Sequence, residues 1–154
     1  MKLSTREDIE APIEHVYREI ADFDAIEKQV LRRGVVLERT DAGGPGGLGR
    51  AWKATFEHRG KTRKADARIA DVGQPNGYVV FGTIGGVEAE FQIDLVALSR
   101  NRTRVVAGVE MRPKTLSARL LIQSLKLGKA GLQRRFARRM KNAAKIIGDR
   151  HTIA

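Results

Sequence analysis

The chain has 154 residues, and its 29 lysines and arginines against 18 acidic residues give a formal net charge of +11 at pH 7. Hydrophobic residues make up 42% of the chain and charged residues 31%, which indicates a globular protein with one sizeable core and excludes intrinsic disorder. Cysteine is absent, which excludes disulfides, thiolate nucleophiles and cysteine-based zinc sites. We therefore predict a single domain over residues 1–154.

The N-terminal stretch MKLSTREDIEA is too polar for a secretion signal. No apolar run in the sequence reaches the ~18 residues that a membrane-spanning helix needs. Together with the lack of cysteine, these features predict a cytoplasmic protein, with peripheral membrane association as an open alternative.

The first predicted elements are a strand and two short helices. Residues 2–10 alternate between apolar and polar side chains, which predicts a strand with one covered face. Pro12 suits the first turn of a helix, and the apolar stripe that follows has helical spacing. Asp24 and Glu27 have the spacing of a capping box, so we predict a second helix from there to residue 30 or 31, with Gly34 after its end.

From residue 35 to residue 111 the sequence alternates in strand-like segments. Gly60, residues 75–77, Gly85-Gly86 and residues 99–101 supply the turns between them. Hairpins this short imply antiparallel order. Six to seven strands, with helices near both ends of the chain, place the fold in the α+β class.

The C-terminal region is predicted to be a long basic helix over residues 115–149. Residues 112–154 hold 12 lysines and arginines and one acid, whereas residues 1–111 hold 17 charges of each sign. A straight helix of this length would measure ~51 Å, so we expect a bend, and Gly128 and Gly131 are the natural place for it. The half after Gly131 is amphipathic, whereas the half before Gly128 is apolar nearly all round, as in helices that are buried, dock on a partner or meet a membrane.

The stretch from Ile9 to Asp22, IEAPIEHVYREIAD, combines an apolar strand end, an Ala-Pro pair and a first helix with Val-Tyr, Ile and Asp. In these residues, and in the order of its elements, the chain resembles the START-like, helix-grip superfamily, in particular its polyketide cyclase/dehydrase and lipid-transport branch. The resemblance implies a curved antiparallel sheet that grips the long C-terminal helix, with a hydrophobic cavity between them.

The resemblance also implies which residues would face that cavity, and the alternative is that they form an ordinary solid core. Small residues at inward positions, such as Ala54, Ala67 and Gly82, favour a cavity slightly. The predicted cavity residues are Trp52, Phe56, Tyr78, Val80, Phe91, Ile93, Val109, Met111, Leu121 and Leu125.

The resulting expectation is a protein that binds a hydrophobic small molecule or lipid without catalysis, such as a lipid or quinone carrier that visits anionic membranes. The rival use of the apolar helix half is a homodimer contact. The predicted membrane or partner contacts are Leu116, Leu120, Leu127, Arg134, Arg138, Lys141 and Lys145.

Two other functions remain open from the sequence. One is a cyclase or aromatase, in which His58 would move protons; the other is an RNA- or ribosome-binding factor that uses the basic helix. Gly44–Gly49 satisfies the GxGxxG pattern, but a strand follows it, so we expect a flexible loop at the cavity mouth instead of a nucleotide site. The three histidines lack ligand spacing, and no metal or cofactor is expected.

Overall fold

The computed structural model describes residues 1–153, in which seven antiparallel strands form one sheet with four helices. The strands are β1 (Lys2–Ile9), β2 (Val36–Asp41), β3 (Ala51–His58), β4 (Lys61–Gly73), β5 (Gly77–Ile84), β6 (Val87–Ser99) and β7 (Arg102–Pro113). The helices are α1 (Ile13–Ile20), α2 (Phe23–Arg32), α3 (Leu116–Leu127) and α4 (Lys129–Ile153). The predicted α+β helix-grip fold with six to seven strands is confirmed.

The strand order is β1-β7-β6-β5-β4-β3-β2. Strands β2 to β7 are joined by consecutive hairpins, and β1 pairs with β7 at the far edge. β1 and β2 are therefore the two edge strands. The register shifts in β2, in β4 and in β6, as at β-bulges.

The connections alternate between the two ends of the sheet. The β3–β4 turn, the β5–β6 turn and the β7–α3 junction lie at one end, which we call the α3 end. The β2–β3 loop and the β4–β5 and β6–β7 turns lie at the opposite end, together with the chain that leaves β1 for α1.

The second helix begins earlier than the capping-box spacing predicts. Asp22 is its N-cap, and its Oδ1 accepts a hydrogen bond from the Ala25 backbone N–H at 3.1 Å. The prediction of a cap at Asp24 was wrong because the Glu27 carboxylate does not reach back to the backbone; it binds Arg39 and Trp52 instead. The helix ends at Arg32, and Gly34 follows with φ +84°, as expected for the residue after a helix end.

The C-terminal helix is broken at Gly128, as its glycines predict. The Gly128 N–H still bonds to the Leu125 carbonyl at 3.0 Å, but its own conformation (φ −105°, ψ 20°) leaves the helix, and α4 begins at the next residue. α4 runs along β1 and packs Phe136 and Ile147 on the core.

The most deeply buried large side chains of the core are Val16 of α1 and Ile69 of β4. Thr103 is buried there as well, and its hydroxyl donates to the Ala11 carbonyl at 2.8 Å. Toward the α3 end, the inner-face residues of β3–β5 are only half buried, and this uneven packing leaves room for a cavity; they are Trp52, Ala54, Ala67 and Val80.

Candidate functional site

A cavity of about 440 Å³ lies between α2 and the inner face of the sheet. This volume falls within the roughly 300–1,000 Å³ of small-molecule pockets. Its walls are mostly apolar. The lining residues are Phe23, Ile26, Glu27, Val30, Leu37, Trp52, Ala54, Ala65, Asp66, Ala67, Tyr78, Val80 and Phe91.

The floor of the cavity, which is the inner face of β3, β4 and β5, is deep because small residues lie next to each other on these three strands. Ala54 is the register partner of Ala65, and Ala67 lies between Trp52 and Gly82. A Cβ on Gly82 would lie 2.5 Å from the Asp66 carbonyl oxygen, so the backbone approach there requires glycine. The strands thus approach closely at the floor, and the large side chains stand around it as walls.

A charged group at the rim orients the tryptophan. The Trp52 Nε1–H donates to Glu27 Oε1 at 2.6 Å, and Arg39 donates to both carboxylate oxygens at 2.9 Å and 2.6 Å. The hydrogen bond from Arg39 holds the pKa of Glu27 below its usual range, against the opposing effect of desolvation, and the bond from Trp52 adds to it. Glu27 is therefore an anion that fixes the indole and is itself neutralised by Arg39.

The end of the cavity nearest the core is closed by Tyr78. Its hydroxyl donates to the Ile20 carbonyl at 2.7 Å, and the Phe23 ring meets its ring edge-on, with centroids 5.1 Å apart. Burial raises the pKa of Tyr78, so its phenol stays protonated. The hydroxyl proton is used in the hydrogen bond to the Ile20 carbonyl of α1.

Four of the ten predicted cavity residues line this cavity: Trp52, Tyr78, Val80 and Phe91. The others lie elsewhere. Ile93 belongs to the packed core, whereas Phe56, Val109 and Met111 are half buried outside the lining. Leu121 is 53% exposed and Leu125 half buried, and neither lines the cavity.

The physical reason is that α2 covers the cavity, whereas α3 packs toward β7 and buries Ala118 and Ile122. The sequence reasoning missed the lining residues of α2 and Leu37. A signal for the former was present, because Phe23, Ile26 and Val30 recur at i, i+3 and i+7, the spacing of one helix face.

His58 and the glycine-rich loop, the other candidates from the sequence, do not line the cavity. His58 is exposed at the end of β3, away from the cavity lining. The glycine-rich loop forms a short 3-10 turn at Pro45–Gly47 and leads into β3, and Gly47 lies so close to Phe23 that a Cβ there would meet the ring at 2.7 Å. Within residues 1–153, no group of three or more potential metal-binding side chains is present.

The predicted membrane or partner contacts all lie on the surface. Leu116, Leu120 and Leu127 are 72%, 60% and 92% exposed, on the side of α3 opposite Ala118 and Ile122. The predicted cations of α4 are also exposed; they are Arg134, Arg138, Lys141 and Lys145. In the part of the chain that the structure describes, no helix has both the length and the apolar character needed to cross a bilayer.

Comparison with known proteins finds similarity only at the level of structure, since no family model and no curated protein matches the sequence. Norcoclaurine synthase from Thalictrum flavum, solved as a point mutant with a transition-state analogue, matches with a TM-score of 0.68 at 14% identity, over 98% of this chain and 96% of that one. A protein from Thermus thermophilus gives 0.64 at 18% identity, over 96% and 97%. Ara h 8.0201 gives 0.59 at 16% identity, over 96% and 97%. The chain thus has the same helix-grip fold as these proteins.

Proposed function

We propose that this protein binds a hydrophobic small molecule of the lipid or quinone class in the cavity beneath α2, and carries it through the cytoplasm to anionic membranes. The observation that carries the proposal is a cavity of about 440 Å³ with apolar walls and a floor of alanines. Filling it removes apolar surface from water, which is the main driving force for such binding. Norcoclaurine synthase, whose structure contains a small-molecule analogue, supports the use of this fold for ligands.

Binding without catalysis fits the chemistry of the lining. Each ionisable side chain there is already engaged: Glu27 with Arg39, Tyr78 with the Ile20 carbonyl, and Asp66 with the Thr83 hydroxyl at 2.7 Å. A cyclase would need a group free to move a proton on the ligand. His58, the candidate for that role, lies outside the cavity.

The proposed membrane contact combines the leucines of α3 with the cations of α4. Exposed leucines beside a positively charged helix match a bilayer that offers both hydrocarbon and anionic headgroups. RNA binding is the weaker alternative, because Phe136, the aromatic residue among the α4 cations, packs against the core and cannot stack on bases. The proposed contacts are Leu116, Leu120, Leu127, Arg134, Arg138, Lys141 and Lys145.

Native mass spectrometry of gently purified protein, followed by organic extraction, tests ligand binding directly. We expect a stoichiometric hydrophobic molecule, and we expect Ala67→Leu, which fills the floor, to lower its occupancy at least tenfold. Ala97→Leu, the same change at an exposed position of β6, is the matched control and should retain the ligand.

Trp52 is the one tryptophan of the chain, so its fluorescence reports on the cavity without labelling. Titration of delipidated protein with oleate and with a short-chain quinone should shift or quench the emission in the wild type and in Ala97→Leu, and not in Ala67→Leu. An apo mass together with an unresponsive Trp52 would contradict the proposal.

A further inference from the structure

The β3–β4 hairpin projects beyond its neighbours at the α3 end of the sheet. β4 pairs with β5 only from Ala65, which faces Ile84 beside the β5–β6 turn. The residues of β4 before Ala65 pair with β3 alone and extend ~13 Å past that turn, at ~3.3 Å per residue.

The projecting tip is strongly basic. Arg59, Lys61, Arg63 and Lys64 are all exposed, and within residues 1–153 none of them lies in an ion pair. At the same end Lys114 pairs with Glu88 at 3.4 Å, whereas Arg119 and Lys126 of α3 are exposed and, in the described structure, lie in no ion pair. The tip therefore adds uncompensated positive charge to the end of the sheet at which α3 lies.

The turn at the tip holds an arginine where the backbone favours other residues. Arg59 and Gly60 have φ of +52° and +74°, the two left-handed positions of a hairpin turn that prefers Asn-Gly. Arg59 is the one non-glycine residue with positive φ among the residues that the structure describes. The tip therefore carries the Arg59 cation at a position where asparagine or glycine would strain the backbone less.

α3 lies across the same end of the sheet. At its start, the Lys114 N–H donates to the Gly86 carbonyl at 2.7 Å, and Gln133, in the second turn of α4, hydrogen-bonds to Ser4 near the start of β1. α3 contacts β7, and the chain from Lys114 to Gln133 that contains it runs from the β5–β6 turn to the start of β1. Its exposed stripe of Leu116, Leu120 and Leu127 points away from that support.

We infer that the β3–β4 tip and the leucine stripe of α3 form one docking face for an anionic lipid bilayer. The leucines insert among the acyl chains, and the cations of the tip bind the headgroups beside them. Nucleic acid would satisfy the cations but offers no hydrocarbon to cover three leucines. The inference rests on the proposed function, in which the protein carries its ligand to anionic membranes. It extends that proposal, because it adds to the membrane contact a hairpin that is far from the basic helix in the sequence.

Co-sedimentation of the full-length protein with vesicles of phosphatidylcholine and phosphatidylglycerol tests the face, with pure phosphatidylcholine vesicles as the charge control. The tip variant is Arg59→Asn/Lys61→Gln/Arg63→Gln. Its matched control, Arg6→Gln/Arg18→Gln/Arg100→Gln, removes the same charge from exposed positions outside the face. Leu120→Asp is compared in the same way with Leu98→Asp, which changes an exposed leucine of β6.

We expect the tip variant to bind anionic vesicles about a hundredfold more weakly, at roughly fivefold per headgroup-bound cation, and its control less than fivefold more weakly. Leu120→Asp should weaken binding and Leu98→Asp should not. Since Asn suits the left-handed turn, Arg59→Asn alone should raise the melting temperature while it lowers vesicle affinity, which separates docking from folding.

Equal binding by the tip variant and its control would overturn the docking face while leaving the proposed membrane exchange intact. A wild type that ignores anionic vesicles would overturn both. Because the tip lies outside the cavity lining, the response of Trp52 to oleate in the same samples reports separately whether the cavity binds ligand.

Discussion

The side-chain amide of Gln133 hydrogen-bonds both backbone groups of Ser4: its Oε1 accepts the Ser4 N–H at 3.3 Å, and its Nε2 donates to the Ser4 carbonyl. Ser4 lies in β1, an edge strand of the sheet, and an unpaired edge is a template for pairing with another chain. Gln133 thus acts at this point as a neighbouring strand would, and it fixes the start of α4 against the sheet.

Gln133→Leu should therefore destabilise the fold by about 1 kcal/mol, because two backbone groups lose their partner, and should also promote association through β1. Urea denaturation and light scattering measure the two effects. Gln123→Leu, the same change at an exposed position of α3, is the matched control. If both variants behave alike, the amide of Gln133 does not protect the edge.

The two tyrosines of the core should respond differently to removal of the hydroxyl. Tyr78→Phe leaves the Ile20 carbonyl without its 2.7 Å donor and should cost about 1 kcal/mol of unfolding free energy. The Tyr17 hydroxyl is buried with no hydrogen-bond partner, so Tyr17→Phe should be neutral or stabilising. Chemical denaturation of the two variants side by side checks this, and a cost for Tyr17→Phe equal to that of Tyr78→Phe would contradict it.

The stability of the protein should fall in acid partly through Glu27. The hydrogen bond from Arg39 lowers the pKa of this carboxyl from its ordinary value of 4.5, so the unfolded chain binds its proton first. The resulting stabilisation is complete above that ordinary pKa and is lost as the pH falls through the lower pKa of the folded state.

In Glu27→Gln this part of the pH dependence should disappear, so unfolding free energies measured from about pH 7 down to about pH 3 should fall less steeply than in the wild type. Glu14→Gln, at an exposed carboxyl of α1 that makes no ion pair in the described structure, serves as the control. An unchanged slope in Glu27→Gln would show that the contact with Arg39 has no energetic weight.

The sequence pattern predicted the sheet and its hairpins because period-two alternation and turn glycines are local signals. The break at Gly128 could be predicted for the same reason. The apolar face of α2 was visible in the sequence, but the choice of the helix that covers the cavity was not. α3 has an apolar face as well, and only the packing of Ala118 and Ile122 beside β7 decides that α2 lies over Trp52.

The hydrogen bonds at the rim of the cavity could not be predicted from the sequence for a different reason. Glu27 and Trp52 are 25 positions apart, and Arg39 joins them from an edge strand, so their contact depends on long-range geometry. Local spacing instead suggested a helix cap for Glu27. A carboxylate such as that of Glu27 can either cap its own helix or bind side chains from distant parts of the chain. Local spacing shows only the first of these uses, so the sequence pattern cannot decide between them.

The close approach of β4 and β5 at the cavity floor gives the last prediction. Gly82→Ala would place a Cβ 2.5 Å from the Asp66 carbonyl oxygen, and the backbone of a central strand cannot move aside cheaply. We expect a loss of about 1–3 kcal/mol, as for overpacking, and a weaker response of Trp52 to oleate because the floor is displaced. Gly108→Ala is the control, since a Cβ there would meet its nearest atom, the Leu3 carbonyl oxygen, at an ordinary 3.6 Å. Thermal unfolding of both variants decides the matter: equal melting temperatures would mean that the strands at the floor can separate, and that the cavity owes its depth to something other than this contact.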